Sequence, residues 1–187
     1  KLMATHHLAQ YFPHCLMLIM LILSPLLILL GEFRSLPLAP LGIIGLIPPL
    51  MYLVSQQVQG ADWGKRLLAF PFLLLIGTGL IWQNAFAVCS GFFNKKGTFL
   101  RTPKFATEWQ SSPYALRAQH AIIMQFALML YSLWGMWLAW QLEQAFMLYF
   151  LLHILSFALV TGWDIAEQWS LRQRIMQPRL LPESGND

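Results

Sequence analysis

The sequence predicts an all-α membrane protein, with four transmembrane helices, one re-entrant or interfacial amphipathic helix and a basic cytoplasmic loop. Three observations predict it. Hydrophobic residues make up 57% of the 187 residues and charged residues only 11%, against about 25% charged in an ordinary soluble domain. The charges fall between long neutral runs, at residues 2–31, 35–61, 67–94, 118–142 and 144–163. Finally, most of the basic residues gather in a few of the connections between those runs.

A helix crosses the bilayer core with about 20 mostly apolar residues. Spans are therefore predicted at 8–30, 38–56, 117–141 and 144–163, and the fifth run, 67–93, is treated separately. Orientation follows from loop Lys and Arg. The first connection carries only Glu32 and Arg34. The second carries Lys65 and Arg66, and the third Lys95, Lys96, Arg101, Lys104 and Arg117. The turn before 144 holds Glu143, and the tail holds Arg172, Arg174 and Arg179. Placing the second connection, the 94–116 loop and the 164–187 tail in the cytoplasm puts every one of these bases inside except Arg34.

That placement leaves both ends of 67–93 on one side. Pro71 interrupts the start of the run, and Gly77 and Gly79 loosen its middle. In its second half Gln83, Asn84, Ala87, Ser90, Gly91 and Asn94 share a helical face. Ile81, Phe86, Val88, Cys89, Phe92 and Phe93 fall mostly on the others. Such a helix lies in the interface or re-enters it. Five plain spans, with the Lys-rich loop outside, is the alternative.

The net charge of +4 and pI near 9.3 would suggest nucleic acid in a soluble protein. Here the bases flank apolar runs, so lipid head groups are the expected partner and nucleic acid is not. Cys15 and Cys89 lie in separate apolar stretches and are expected as buried free thiols, with a paired disulfide as the weaker alternative. His6, His7 and His14 lack metal-site spacing. A helix-to-helix hydrogen bond is expected of His120 and His153. Asp164 and Glu167, one turn apart, read as a solvated helix end. Trp109, Trp134, Trp137, Trp140 and Trp163 fit an interfacial belt, and Trp82 or Trp137 could also stack on sugar rings.

The connection at 94–116 is too long for a turn. It orders Phe99, Arg101, Thr102 and Lys104 as an aromatic anchor, a fork donor, a hydroxyl and a point charge, a set that binds phosphate. The same bases suit a loop lying on lipid head groups, and the physics of the residues alone favours that second reading.

Phe99-Leu-Arg-Thr-Pro-Lys104 resembles the Phe-x-Arg-Thr-Pro-Lys form of the gating loop in processive family 2 glycosyltransferases, the cellulose synthase-like and mannan synthase-like enzymes. In bacterial cellulose synthase the pattern is Phe-x-Val-Thr-x-Lys. Residues 1–11, Tyr52-Leu-Val-Ser-Gln56 and Gly79-Leu-Ile-Trp-Gln-Asn-Ala-Phe-Ala-Val88 are similar to stretches that surround it in that family. The resemblance covers about residues 1–110; the last two spans are generic.

The resemblance implies a β-glycan polymerised from a nucleotide-sugar at the inner (plasma) membrane. Thr102 and Lys104 would approach the diphosphate and Phe99 would help seat the loop. Arg101 stands where cellulose synthase has Val, so its role does not carry over. The resemblance also implies a catalytic domain that uses Mg or Mn. The chain has no Asp-x-Asp, Thr-Glu-Asp or Gln-x-x-Arg-Trp motif. Its first residue is Lys1, read as a cut inside a longer polypeptide with that domain upstream. No cofactor is expected on this chain itself. The rival reading is a non-enzymatic polytopic subunit or small transporter.

Overall fold

The computed structural model describes residues 11–32, 47–60, 62–93 and 113–176. Among these residues all regular structure is helical, as the neutral runs predict. The elements are α1 (Phe12–Leu30), α2 (Ile47–Gln59), α3 (Trp63–Leu67), α4 (Phe70–Gly79), α5 (Ile81–Phe93), α6 (Pro113–Leu142), a 3-10 turn (Gln144–Phe146) and α7 (Met147–Met176).

Helix α1 has a proline in its first turn, where the missing N–H costs nothing. It ends at Gly31, whose φ of 69° turns the chain left-handed and aims its N–H at Ile28 and Leu27. Pro25 lies inside the helix and cannot donate to the carbonyl of Leu21 four residues back. The buried Ser24 hydroxyl donates to that carbonyl instead, at 2.9 Å. One hydroxyl thus repairs the gap that Pro25 leaves in α1.

Three helical stretches are long and apolar enough to cross a membrane: Phe12–Leu30, His120–Leu142 and Gln144–Ser170. They coincide with three of the four predicted spans. Of the predicted span 38–56, residues 38–46 lie outside the described residues. The 13-residue α2 is too short to cross alone. Helix α7 extends past the predicted span end at 163. Asp164 and Glu167 can end an apolar stretch without ending a helix, because neither residue breaks one.

The run 67–93 folds as two helices. Pro71 sits in the first turn of α4, and a 46° bend separates Trp63–Gly79 from Ile81–Phe93. The bend follows Gly77 and Gly79. Backbone hydrogen bonds continue through it, from Leu80 to Ile76 and from Asn84 to Leu80. Length and composition allow this pair to be one broken span or a re-entrant segment.

Helices α6 and α7 form the most extensive contact. They run antiparallel, since Gly135 faces Phe150 while Gln125 reaches Thr161. Helix α4 packs on α7, α5 on α1, and α1 on α6. Leu21, Ile28, Leu128, Leu138, Ala139, Phe150 and Phe157 fill the centre. Two glycines set the spacing. A Cβ on Gly79 would strike Val160 and come within 2.7 Å of the Ser156 carbonyl oxygen. A Cβ on Gly135 would enter the ring of Phe150, 2.7 Å from Cζ. Small residues at such crossings let helices approach closely where lipid supplies no hydrophobic drive.

Candidate functional site

The four predicted loop residues, Phe99, Arg101, Thr102 and Lys104, lie outside the described residues. What can be built is the mount that holds their connection. It leaves from the end of α5 and returns at the start of α6. Both helices pack on α1 and touch each other, and α6 also packs on α7. The connection thus runs between two helices that both pack on α1.

Helix α5 does not divide simply into a polar and an apolar face. Ile81 and Ala85, one turn apart, are buried, whereas Phe86, Phe92 and Phe93 are exposed. Gln83 and Asn84 are half-buried, and the Gln83 carbonyl oxygen is buried without a partner. Trp82 stacks on Phe86, with centroids 5.9 Å apart, and packs against the central cluster. Trp137 instead faces outward, 60% exposed, beside the similarly outward Trp134 and Trp140. Of the two tryptophans offered for sugar stacking, only Trp82 turns toward the interior. Trp109 lies outside the described residues.

The bundle interior carries polar groups that hydropathy conceals. Gln125 is fully buried on α6, and its carbonyl oxygen accepts a hydrogen bond from the Thr161 hydroxyl of α7 at 3.3 Å. The Gln125 side-chain nitrogen makes no hydrogen bond, though the Asp164 carboxyl of α7 lies near enough to the amide to feel it. Ser132 and Ser156, also buried, donate to the carbonyls four residues back, at 2.8 and 2.7 Å. Those hydroxyls are satisfied within their own helices.

His153 corrects one expectation. Its Nδ1–H donates to the Tyr149 carbonyl at 2.8 Å, a bond within α7 and not between helices. That donation makes Nε2 the acceptor, and it is buried with no partner. His120 is exposed. Gln83, Gln125 and His153 therefore each turn an unsatisfied polar atom into the protein. A buried unpaired group costs about 1–3 kcal/mol, a cost that a guest hydroxyl or water would offset.

At the other end of the chain segment, Tyr52 of α2 stacks on Phe70, with centroids 5.1 Å apart, and donates to the Arg66 carbonyl at 3.3 Å. Tyr52 belongs to a stretch that carried the family resemblance. Here its ring ties α2 to the start of α4 and its hydroxyl ties α2 to the short basic helix α3. Lys65 pairs with Asp62 at 3.6 Å on the surface, where such pairs contribute little.

No three His, Cys, Asp or Glu side chains among the described residues converge as a metal site requires. The pairing of Gln125 with Thr161 was not legible in the sequence, and a pairing of Cys15 with Cys89 was legible only as the weaker alternative. Only the register of the packed helices creates them. No protein-family model, curated protein or solved structure matches the chain. The class defined by the fold is a helical bundle with several helices apolar enough for a membrane.

Proposed function

We propose that this chain is the C-terminal membrane module of a processive family 2 glycosyltransferase. It holds an upstream catalytic domain at the inner membrane and supplies the loop that closes over the nucleotide-sugar. With its partners it lines part of the exit path of the growing β-glycan. The reaction is inverting transfer of a sugar from the nucleotide to the polymer end, and its bond-making residues and metal belong to the upstream domain.

One observation carries the reading: the ordered motif Phe99-Leu-Arg-Thr-Pro-Lys104 directly follows the Gln83–Asn84 helix. Three features support it. The connection bearing the motif begins and ends on helices packed together, which suits a loop that swings from a fixed base. Its bases place it in the cytosol, with the 164–187 tail, by the positive-inside rule. The unpaired interior atoms of Gln83, Gln125 and His153 are groups that hydroxyl-rich polymers can satisfy. In this reading 67–93 re-enters from the cytoplasmic side, four spans surround it, and 38–56 is one of them.

Closing such a loop excludes water and holds the donor in line. Lys104 supplies a charge to the diphosphate, Thr102 a hydroxyl and Phe99 an apolar seat. The test is Lys104→Ala in the full-length protein. Losing one charge-assisted contact, about 1.5–3 kcal/mol, should lower turnover by about 10- to 100-fold. The yield of folded protein in the membrane should be unchanged. Polymer synthesis at the wild-type rate would return the chain to the alternative, a non-enzymatic subunit or small transporter. An upstream reading frame with neither Asp-x-Asp nor Gln-x-x-Arg-Trp would do the same.

A further inference from the structure

The chain has two cysteines, far apart in sequence. Cys15 lies in the first turn of α1 and Cys89 in the last turns of α5, and those two helices pack together. The half-buried Cys15 thiol points at α5, with its sulfur 3.9 Å from the Ala85 carbonyl oxygen. Cys89 is four residues beyond Ala85, so its side chain leaves the same face of α5 one turn further on. Both thiols are free, but neither is fully buried as the sequence predicts, because the first turn of α1 and the last turns of α5 lie at the edge of the packed helices.

A disulfide requires two Cβ vectors that converge across a short gap. Two thiols that face each other from adjacent turns of a packed helix pair need only a side-chain rotation to meet that requirement. The pair is also asymmetric: Cys89 is exposed, whereas Cys15 is half-buried. The first is open to a small oxidant, and the second is placed to resolve what forms.

We propose that Cys15 and Cys89 are a reversible dithiol–disulfide pair that responds to peroxide and, when oxidised, ties α5 to α1. The Cys89 thiolate attacks one peroxide oxygen and the O–O bond breaks. The products are a sulfenic acid and a hydroxide, and the hydroxide takes up the released thiol proton as water. The Cys15 sulfur then attacks the Cys89 sulfur. The S–S bond forms, the S–O bond breaks, and a second water leaves with the Cys15 proton. Two thiols are oxidised by two electrons and one peroxide is reduced to two waters. The bridge fixes the end of α5 just before the 94–116 connection departs. In a reducing cytosol it is open at rest and closes under oxidative load.

The experiment reads sulfur on the full chain in native membranes, so it does not depend on the transferase reading. Membranes are treated with hydrogen peroxide, alkylated with N-ethylmaleimide and digested with trypsin without reductant. The expected product is one conjugate of the peptides 2–34 and 67–95. Alkylation of both cysteines should fall at least about tenfold, and dithiothreitol should restore it. Cys15→Ser and Cys89→Ser should each abolish the conjugate. Three results would overturn the proposal: both thiols still fully alkylated after peroxide, a conjugate joining two copies through the same cysteine, or Cys89 over-oxidised with Cys15 still free.

Discussion

Gly77 and Gly79 are near neighbours on α4, yet their surroundings demand opposite things of them. Nothing lies within 4 Å of a Cβ on Gly77, whereas one on Gly79 meets the backbone of Ser156. Gly77→Ala removes a helix-weakening residue and should raise stability by up to about 1 kcal/mol. Gly79→Ala must push α4 off α7 and should cost about 1–3 kcal/mol. Thermal unfolding of the two variants in detergent checks the pair; equal shifts would mean that Gly79 does not set the α4–α7 distance. The repair at Pro25 yields a second test on the same scale. Ser24→Ala leaves the Leu21 carbonyl unsatisfied and should cost about 1–2 kcal/mol. Pro25→Ala restores the N–H at that position, so the double variant should recover most of the loss. A double variant no more stable than Ser24→Ala alone would remove the backbone explanation. Neither device was legible in the sequence. Gly79 was visible as a loosening residue, but not as a contact, because only the packing of α4 on α7 brings Ser156 and Val160 against it.

At the scale of elements, α1, α6 and α7 were legible because the charges that bound a neutral run also bound the hydrocarbon it crosses. The break between α4 and α5 was legible from Gly77 and Gly79, and the start of α4 from Pro71. Legibility failed where a helix boundary and a membrane boundary differ. Helix α7 continues to Met176 beyond a span predicted to stop at 163, and the short α3 was read as part of a loop. It failed again on α5, whose buried contacts are Ile81 and Ala85 and not a whole apolar face. The candidate loop itself was legible only as a motif, because spacing in sequence says nothing of where a long connection rests. Helices α5 and α6 both pack on α1, so a change in the connection and a change in the helix packing can be told apart. By this argument Gly135→Val, which drives a side chain into Phe150, should disturb the α6–α7 pair and lower the yield of folded protein. Lys104→Ala should leave that yield unchanged. Measuring folded yield beside turnover for the two variants separates a packing defect from a loop defect.

For the whole molecule the open physical question is which side the connection faces, and it turns on the bent pair. If Trp63–Gly79 and Ile81–Phe93 cross as one span, the connection lies opposite Lys65 and Arg66. If they re-enter, it lies on the same side. The charge distribution favours the second arrangement, because it keeps the bases of both connections in one compartment. The polar atoms of α5 also agree better with a segment that does not cross lipid, where unpaired groups are costly. Two single cysteines, placed in a Cys15→Ser, Cys89→Ser background, decide the matter. Thr98→Cys reports the connection, and Gln57→Cys reports the exposed end of α2. An impermeant maleimide added from the periplasm should label neither. After the inner membrane is opened it should label both. Labelling of position 98 alone from outside would make 63–93 a crossing segment, set the basic connection in the periplasm, and leave Lys104 with no nucleotide-sugar to meet.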